Sequence, residues 1–272
     1  MARFDCPKIL GILNVTEDSF SDGGRFLEPA SAFVQAQAMF QAGADIIDVG
    51  AASSHPDARA VGAAREIARL EAIVPQLKAA SIPISIDSFE VDVQRWALAQ
   101  NVDWLNDING FPDPSIYDDL AGSTCGLIVM HALQAKGIAQ RVEGNADKIW
   151  ETIERFFDER LNALVRAGVA QERIVIDPGM GFFLGNMPDV SLRVLAELDR
   201  LSGRYQLPVL ISVTRKSFLR AHSGRDIEEI APMSLAAELW ATQMGVTYIR
   251  THDVAQLHDA LSLHKTLHGL RP

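Results

Sequence analysis

Eight short apolar runs, each followed by a longer amphipathic stretch, alternate along the 272 residues of the chain. The runs are rich in β-branched residues and lie at residues 9–15, 45–50, 82–87, 103–108, 126–131, 173–177, 208–213 and 246–251. Near-continuous apolar runs of this length are typical of parallel strands that are covered on both faces. The stretches between them predict helices at residues 29–41, 63–80, 91–100, 114–121, 146–167, 191–205, 233–244 and 254–267.

Eight strand–helix units predict the α/β fold class, as a single-domain (β/α)8 TIM barrel over residues 1–272. An open doubly wound sheet more often has about five to seven strands and a glycine-rich first turn. No GxGxxG motif follows the first apolar run, and no linker or composition break divides the chain. The active site is therefore expected at the C-terminal ends of the barrel strands.

The charge and cysteine content narrow the class of partner. The 35 acidic residues outnumber the 25 Lys and Arg residues, and the net charge of −10 argues against a nucleic-acid or anionic-membrane surface. A local anion site remains compatible with this balance. Cys6 and Cys125 form no CxxC pair, which suits a reducing compartment. No run approaches about 18 apolar residues, so a cytoplasmic protein without a membrane or nucleic-acid partner is expected.

Polar side chains stand at or just after every predicted strand. They are Asn14, Asp48, Asp87, Asn106, Asp107, His131, Asp177, Arg215, Lys216, Arg250, Thr251 and His252. In a barrel these side chains would ring the C-terminal mouth, where barrel enzymes place their chemistry. A single Asp at a strand end is more often a helix cap or a loop anchor. Capping alone, however, prefers Ser and Thr, and would not supply Lys216, Arg250 and His252 together.

Several of these polar residues belong to motifs that resemble dihydropteroate synthase. The strings are NVTEDSFSDGG at 14–24, GADIIDVG at 43–50, SIDS at 85–88, NDI at 106–108, VMH at 129–131, DPG at 177–179, RKS at 215–217 and RTHD at 250–253. Two segments differ from the family pattern. SSHPD at 53–57 replaces the usual STRPG, and FFLG at 182–185 lacks the lysine of the usual GFGK. These departures resemble the sulfonamide-insensitive enzymes that resistance plasmids carry.

The resemblance implies condensation of 6-hydroxymethyl-7,8-dihydropterin pyrophosphate with p-aminobenzoate, which gives 7,8-dihydropteroate and pyrophosphate. It implies catalytic roles for Asp87, Asp177, Lys216 and Arg250. The residues that it places on the pterin are Asp87, Asn106, Ile108, Met130, Asp177, Lys216 and Arg250. Carboxylates suit this role because the pterin edge presents adjacent N–H donors. His131 is expected to be a hydrogen-bonded support rather than a ligand.

The other two subsites follow from the same resemblance. The pyrophosphate group is assigned to Asn14, Ser54, His55, Arg250 and His252, with Mg²⁺ held on the Asn14 side. The p-aminobenzoate is assigned to Ser53, Ser54, Phe182, Phe183, Lys216 and Ser217. We hypothesise that Phe182 or Phe183 clashes with the bulky group of a sulfonamide drug and spares the smaller substrate. A packing role for the aromatic loop and a solvent-facing role for His55 stay open as alternatives.

Two other functions compete with this reading. A methyltransferase that moves a methyl group from methyltetrahydrofolate to a corrinoid shares the pterin site, but does not need the DSFSDGG loop, Lys216, Arg250 or His252. A non-catalytic pterin-binding barrel would be expected to have lost anion-facing residues, and Asn14, Arg250 and His252 are present. The polar loops at 16–28 and 51–62 are expected to lie over the mouth, and the first to close over a ligand. A homodimer is expected from the resemblance alone.

Overall fold

A computed structural model of the chain describes residues 6–16, 29–58, 61–134 and 137–270. Within these ranges eight strands form one parallel sheet: β1 (Lys8–Asn14), β2 (Ile46–Gly50), β3 (Ile84–Asp87), β4 (Trp104–Asp107), β5 (Gly126–Met130), β6 (Ile174–Asp177), β7 (Leu210–Ile211) and β8 (Tyr248–Thr251). The strand order is β6-β5-β4-β3-β2-β1-β8-β7, and a parallel bridge between Ile176 and Val209 joins the two edges. The predicted eight-stranded barrel is confirmed.

Helices connect successive strands around the outside of the barrel. Those in the described residues are α1 (Pro29–Gln41), α2 (Ala63–Glu71), α3 (Val74–Ala79), α4 (Val91–Ala99), α5 (Tyr117–Gly122), α6 (Ile149–Arg166), α7 (Pro188–Ala196), α8 (Asp199–Tyr205), α9 (Ser217–Ser223), α10 (Ala231–Gln243) and α11 (Val254–Gly269). Each predicted helix has a counterpart here. The short helix α9 has no counterpart among the predictions.

Two predicted helices are each broken into two. The stretch 63–80 forms α2 and α3 because Pro75, in the first turn of α3, has no N–H for a continuous helix and would clash with the preceding turn. The stretch 191–205 forms α7 and α8, and α7 begins earlier than predicted, at Pro188. Proline is favoured at the first helical position, where its missing N–H leaves no hydrogen bond unmade.

The two faces of the strands build two separate cores. Alternate residues of the strands, such as Ile47 and Ile176, pack outward into the large core between barrel and helices. The inward residues at the base of the barrel form a smaller cluster of Leu10, Ile46, Ile128, Val175, Leu210 and Tyr248, with Trp104 packed against it. Among the described residues this apolar cluster fills the lumen at the base of the barrel, which leaves the C-terminal ends of the strands for polar groups.

Two smaller expectations can be compared with the structure. Cys6 is exposed, Cys125 is buried, and both are free thiols. None of the helices in the described part of the chain is long and apolar enough to cross a membrane. The predicted closing loop at 16–28 lies, from residue 17 onward, outside the described residues.

Candidate active site

A layer of polar side chains stands directly above the apolar base of the lumen. Side chains alternate between the two faces of a strand, so the second residue after each base residue also points inward. Asp48 follows Ile46 in β2 in this way, and Arg250 follows Tyr248 in β8. We call the inward-facing set above the base, together with the lysine that follows β7, the polar layer. Its members are Asp48, Asp87, Asn106, Asp177, Lys216 and Arg250.

Arg250 is the centre of the polar layer. Its Nε donates to Asp48 Oδ2 at 2.6 Å, and its Nη2 donates to Asp87 Oδ2 at 2.7 Å. Asn106 Nδ2 donates to the same Asp48 oxygen at 3.3 Å. The Arg250 side chain is only 15% exposed and that of Asp48 is fully buried. Buried charges are stable only when they are paired, so these bonds fix the geometry across four strands.

Asp48 is a site residue to which the sequence motifs assign no role. Its Oδ2 accepts from both Arg250 and Asn106, whereas its Oδ1 is buried without a partner among the described residues. Asn106 Oδ1 is likewise buried without a hydrogen-bond partner among the described residues. The alternation of side chains along β2 identifies Asp48 as a site residue, because a carboxylate two residues after the inward-facing Ile46 must also face the lumen.

Asp177 and Lys216 add opposite charges to the polar layer. Burial raises the pKa of Asp177 to about 6, although the Gly179 N–H donates to its Oδ1 at 2.8 Å. Burial also lowers the pKa of Lys216 to about 8, with Arg250 acting in the same direction and two carboxylates opposing. Burial raises the pKa of Asp87 against the attraction of Arg250. A ligand that donates N–H groups to these carboxylates would therefore stabilise their charged forms.

An apolar wall adjoins these charges. Ile108, Met130 and Phe183 belong to a small buried cluster that is separate from the main core, and Phe182 packs against it. The centre of the Phe183 ring lies 5.3 Å from Lys216 Nζ, which is a cation–π distance. A flat apolar wall beside convergent polar groups suits a planar heteroaromatic ligand with a polar edge.

The aromatic loop at residues 178–188 combines the two roles that the sequence leaves open. Met180 and Leu184 are buried in the main core, as expected for packing, whereas Phe183 belongs to the wall. Gly181 has a φ of +67°, and a Cβ there would lie 3.4 Å from both Lys216 Cδ and Ser217 Oγ. The loop therefore approaches the turn after β7 closely, which brings Ser217 to the same end of the pocket as the wall.

Cations gather on the β7–β8 side of the mouth. Burial and three neighbouring cations lower the pKa of His252 to about 3. The cations are Arg215, Arg250 and Lys216, in order of effect. The His252 imidazole is thus neutral near pH 7, and its Nδ1 lies 3.3 Å from Thr214 Oγ1. A group of cations that keeps a proton off an imidazole creates a potential that attracts an anion.

Asn14 and Gly50 pair in register at the ends of β1 and β2. A Cβ on Gly50 would lie 3.5 Å from Asn14 Oδ1 and 3.9 Å from Asp87 Oδ2, so the glycine leaves room beside these two oxygens. No cluster of three His, Cys, Asp or Glu side chains suited to a metal occurs in the described ranges. Mg²⁺ is usually held by one or two protein oxygens together with phosphates and waters. Asn14 and this space therefore fit Mg²⁺ that is shared with a diphosphate.

Three members of the predicted ring do not face the mouth, which corrects that part of the prediction, and the first two are Asp107 and His131. Asp107 accepts hydrogen bonds from the N–H groups of residues 109 and 111 and from Gln94, and so fixes the loop after β4. His131 Nδ1 lies 2.9 Å from the Pro178 carbonyl, and its ring packs edge-on against Phe156 of α6. Both directly follow an inward-facing strand residue, so alternation turns them away from the lumen.

Thr251 also faces outward, toward a buried acid on α10 that the motifs do not single out. The acid is Glu238, which hydrogen-bonds with the Thr251 hydroxyl and whose pKa burial raises to about 7. Thr251 Oγ1 also accepts from the Asp253 N–H at 3.2 Å, and Asp253 pairs with Arg215 at 3.1 Å. Helix α10 therefore supports the turn that carries the anion-facing side chains.

Three loops meet above the apolar wall, at residues 51–58, at 131–134 with 137–145, and at 178–187, and we call the described residues of these loops the loop rim. The Ala139 N–H donates to the Ser54 carbonyl at 3.1 Å, which ties the first two loops together. Ser53 Oγ accepts from the His55 N–H at 3.3 Å. The His55 ring meets the Phe182 ring edge-on, with 5.6 Å between the centres. The structure thus brings the two segments that depart from the family pattern into contact.

Comparison with known proteins agrees with this geometry. Residues 10–252 match the protein family described as "Pterin binding enzyme". The chain is 50% identical to a dihydropteroate synthase type-2 of Escherichia coli, over 94% of each chain. It is 47% identical to a dihydropteroate synthase type-3 of Escherichia coli, over 96% of this chain and 99% of the relative. The chain belongs to the dihydropteroate synthase family. It is therefore a transferase of folate biosynthesis.

A solved structure carries the same fold. The dihydropteroate synthase of Xanthomonas albilineans with 4-aminobenzoic acid superposes with a TM-score of 0.88 at 32% sequence identity. The match covers 98% of this chain and 95% of the other. This chain and the Xanthomonas albilineans synthase thus share the barrel fold.

Proposed function

We propose that the chain joins 6-hydroxymethyl-7,8-dihydropterin pyrophosphate to p-aminobenzoate at the polar layer and excludes sulfonamide drugs at the loop rim. The observation that carries the proposal is the polar layer itself, in which Arg250 pairs with both Asp48 and Asp87 inside the barrel lumen. The apolar wall beside it matches a pterin ring, and the group of cations matches a diphosphate.

The polar layer binds the pterin by its hydrogen-bonding edge. Asp177 accepts the adjacent N–H donors of the aminopyrimidinone, which matches a carboxylate in the bidentate manner. The unpartnered oxygens of Asp48 and Asn106 offer further acceptors at the same depth. Lys216 donates to the ring carbonyl or a ring nitrogen, and Met130 and Ile108 cover the apolar face of the ring.

Bond cleavage is assisted on the β7–β8 side of the mouth. The C–O bond to the pterin methylene breaks, and its electron pair leaves with the diphosphate. Arg250 and the neutral His252 stabilise the developing negative charge, as preorganised donors do in other active sites. Mg²⁺, when bound beside Asn14, supplies further positive charge to the diphosphate. Asp87 and Asp177 stabilise the cationic character that the methylene gains.

The incoming nucleophile needs little activation. The aryl amine of p-aminobenzoate is neutral at pH 7, so its nitrogen lone pair attacks the methylene directly and the resulting ammonium loses a proton to solvent. Positioning therefore supplies much of the acceleration. Ser217, Phe183 and Lys216 border the space where this substrate stacks, and we assign its outer end to Ser53 and Ser54 of the loop rim.

The loop rim limits what can extend beyond p-aminobenzoate. Phe183 is buried in the wall next to Lys216, whereas Phe182 is half-buried further out, between the first two loops of the rim. A sulfonamide places a bulky substituent beyond the position of the substrate carboxylate, so Phe182 is the aromatic residue placed to collide with it. The discrimination arises from steric exclusion of the larger ligand.

The test is dihydropteroate formation from the two purified substrates with Mg²⁺, with and without sulfamethoxazole. We expect turnover that persists at drug concentrations which block a sulfonamide-sensitive synthase. If the drug abolishes turnover, the proposed exclusion of sulfonamides is wrong and the proposed synthase activity stands. If no pyrophosphate is released at all, the proposed synthase activity is wrong.

A deletion localises the exclusion to the aromatic loop. Removing Phe182 together with Gly185 shortens the loop by two residues and should restore inhibition by sulfamethoxazole. An active deletion variant that stays insensitive would contradict a role for this loop. A Cβ at Gly185 would lie only 2.6 Å from Gly144 N, so the backbone is closely packed there, and Phe182→Ala serves as the milder variant if the deletion does not fold.

A further inference from the structure

The three loops of the rim are interlocked by backbone hydrogen bonds. The Leu133 N–H donates to the Phe183 carbonyl at 2.9 Å, and the Asn186 N–H donates to the Val142 carbonyl at 2.9 Å. The middle loop, described at residues 131–134 and 137–145, therefore lies between the other two loops and is bonded to both. A displacement of the middle loop would move both walls of the substrate entrance.

Phe182 is enclosed by side chains from the two other loops. The His55 ring meets one side of it edge-on, and the Arg141 guanidinium carbon lies 5.7 Å from the ring centre, within cation–π range. The hydrogen-bonded backbone of the three loops fixes the position of the Phe182 Cα. The side chains of His55 and Arg141 limit the rotamers that the Phe182 ring can adopt. The orientation of Phe182 is thus determined by residues outside its own loop.

Arg141 is itself held in place by Asp57. Its Nη1 donates to Asp57 Oδ1 at 2.6 Å, and its Nη2 donates to the second oxygen of the same carboxylate. This bidentate pair bridges the first and middle loops across the outer edge of Phe182. His55 also joins the group, because its Nδ1 accepts from the Asp57 N–H at 3.2 Å.

We infer that the Arg141–Asp57 pair is a specificity-determining clasp, which locks Phe182 in the orientation that blocks the substituent of a sulfonamide. The inference rests on the proposed function, since it assumes that Phe182 excludes the drug. Neither residue of the pair is assigned to a substrate. The clasp therefore acts on inhibitor selectivity through Phe182, and not on catalysis.

The size of the effect follows from the exposure of the pair. Arg141 is 51% exposed and Asp57 is 60% exposed, so water screens their attraction and the pair contributes little to folding. The Arg141–Asp57 pair acts instead by limiting the rotation of the Phe182 ring. Loss of the clasp should lower the inhibition constant of sulfamethoxazole roughly twofold to fivefold, which is the range that exposed but well-aligned pairs control.

A double-mutant cycle with two inhibitors tests the clasp. The variants are Arg141→Gln, Asp57→Asn and the double variant, and the inhibitors are sulfamethoxazole and sulfanilamide, which lacks the bulky substituent. We expect each single variant to gain sensitivity to sulfamethoxazole alone, with an unchanged KM for p-aminobenzoate, and the double variant to gain no more. Arg141→Lys keeps the charge without the planar fork, and should behave like Arg141→Gln.

A matched control is Arg204→Gln. It removes an ion pair of similar exposure, Arg204 with Asp158, on the outer helices α8 and α6, and should change neither inhibition constant. Phe182→Ala separates the inference from the proposed function. If Phe182→Ala gains sensitivity while Arg141→Gln and Asp57→Asn do not, the clasp is wrong and the exclusion stands. If Phe182→Ala gains none, the exclusion by Phe182 is wrong and the clasp falls with it.

Discussion

The polar layer and the loop rim meet at one pocket but are held together by different forces. In the layer, Arg250 bridges two carboxylates that the strands position, and its side chain is 15% exposed. In the rim, both members of the Arg141–Asp57 pair are more than half exposed. Breaking a buried pair typically costs about 3–5 kcal/mol, whereas an exposed pair contributes about 0–1 kcal/mol. The strands therefore carry the groups that must be held rigidly, whereas the loops carry the groups that we propose discriminate between p-aminobenzoate and larger inhibitors.

The largest effect is expected from Asp177→Asn in the polar layer. The amide cannot accept two adjacent N–H donors, and its own NH₂ would face them, so kcat/KM for the pterin diphosphate should fall by about 10²–10³-fold. Steady-state kinetics measure the loss, and an unchanged circular dichroism spectrum is the control. A loss of less than about threefold would contradict the assignment of the pterin to Asp177.

Glu238→Gln tests a buried acid that lies outside the lumen. Its raised pKa of about 7 means that the folded state holds a proton which the unfolded state has already released above about pH 4.5. This contribution to stability is present below that pH and is lost as the pH rises through 7. The variant cannot titrate, so its stability relative to wild type should rise by about 2 kcal/mol from pH 5 to pH 8.

Thermal or urea unfolding of both proteins at the two pH values measures this difference. Glu238 touches no predicted substrate, so this difference in unfolding free energy reports on the fold and not on substrate binding. A pH-independent difference between the two proteins would contradict the raised pKa of Glu238.

The pH dependence of catalysis should follow the polar layer. Asp177 has a pKa of about 6 in the free enzyme, and protonation removes its capacity to accept two N–H donors. As the pH falls below 6, kcat/KM for the pterin diphosphate should fall by about tenfold per unit. Asp177→Asn should lose the contribution of Asp177 to this acidic limb and keep that of Asp87, whose pKa burial also raises. A wild-type profile that is flat from pH 7 to pH 5 would contradict the role of the carboxylate.

Gly50→Ala probes the space beside Asn14. The added Cβ meets only ordinary van der Waals contacts, 3.5 Å from Asn14 Oδ1, so the fold should be retained. Filling the space should raise KM for the pterin diphosphate and the Mg²⁺ concentration needed for half-maximal rate, by about threefold to tenfold. Ala139→Gly, at a buried position of the wall, is a matched change of one methyl group that should leave the Mg²⁺ requirement unchanged.

The sequence predicts the polar layer much better than the rim. Strand periodicity and strand-end polarity identify Asp87, Asn106, Asp177 and Arg250, because residues on strands inherit their direction from alternation. The same alternation places Asp48 in the layer and turns Asp107 away from the lumen. The sequence pattern of each strand is thus nearly enough to predict which of its side chains belong to the layer.

The rim depends on contacts that no local pattern encodes. Arg141 and Asp57 are 84 residues apart, and Arg141 lies in a polar stretch with no periodicity. Only the closure of the barrel brings their loops together around Phe182. The break at Pro75 was readable from the sequence, in contrast, because it depends on one missing N–H. A homodimer, Mg²⁺ and a cytoplasmic location stay predictions.

The most direct test of the division between layer and rim is a cross of Asp177→Asn with Phe182→Ala. Two quantities are measured in each variant: kcat/KM for the pterin diphosphate, and the ratio of the sulfamethoxazole inhibition constant to KM for p-aminobenzoate. We predict that Asp177→Asn changes the first and not the second, that Phe182→Ala mainly lowers the second, and that the double variant combines both. A Phe182→Ala loss in kcat/KM as large as that of Asp177→Asn, with the selectivity ratio unchanged, would contradict the account.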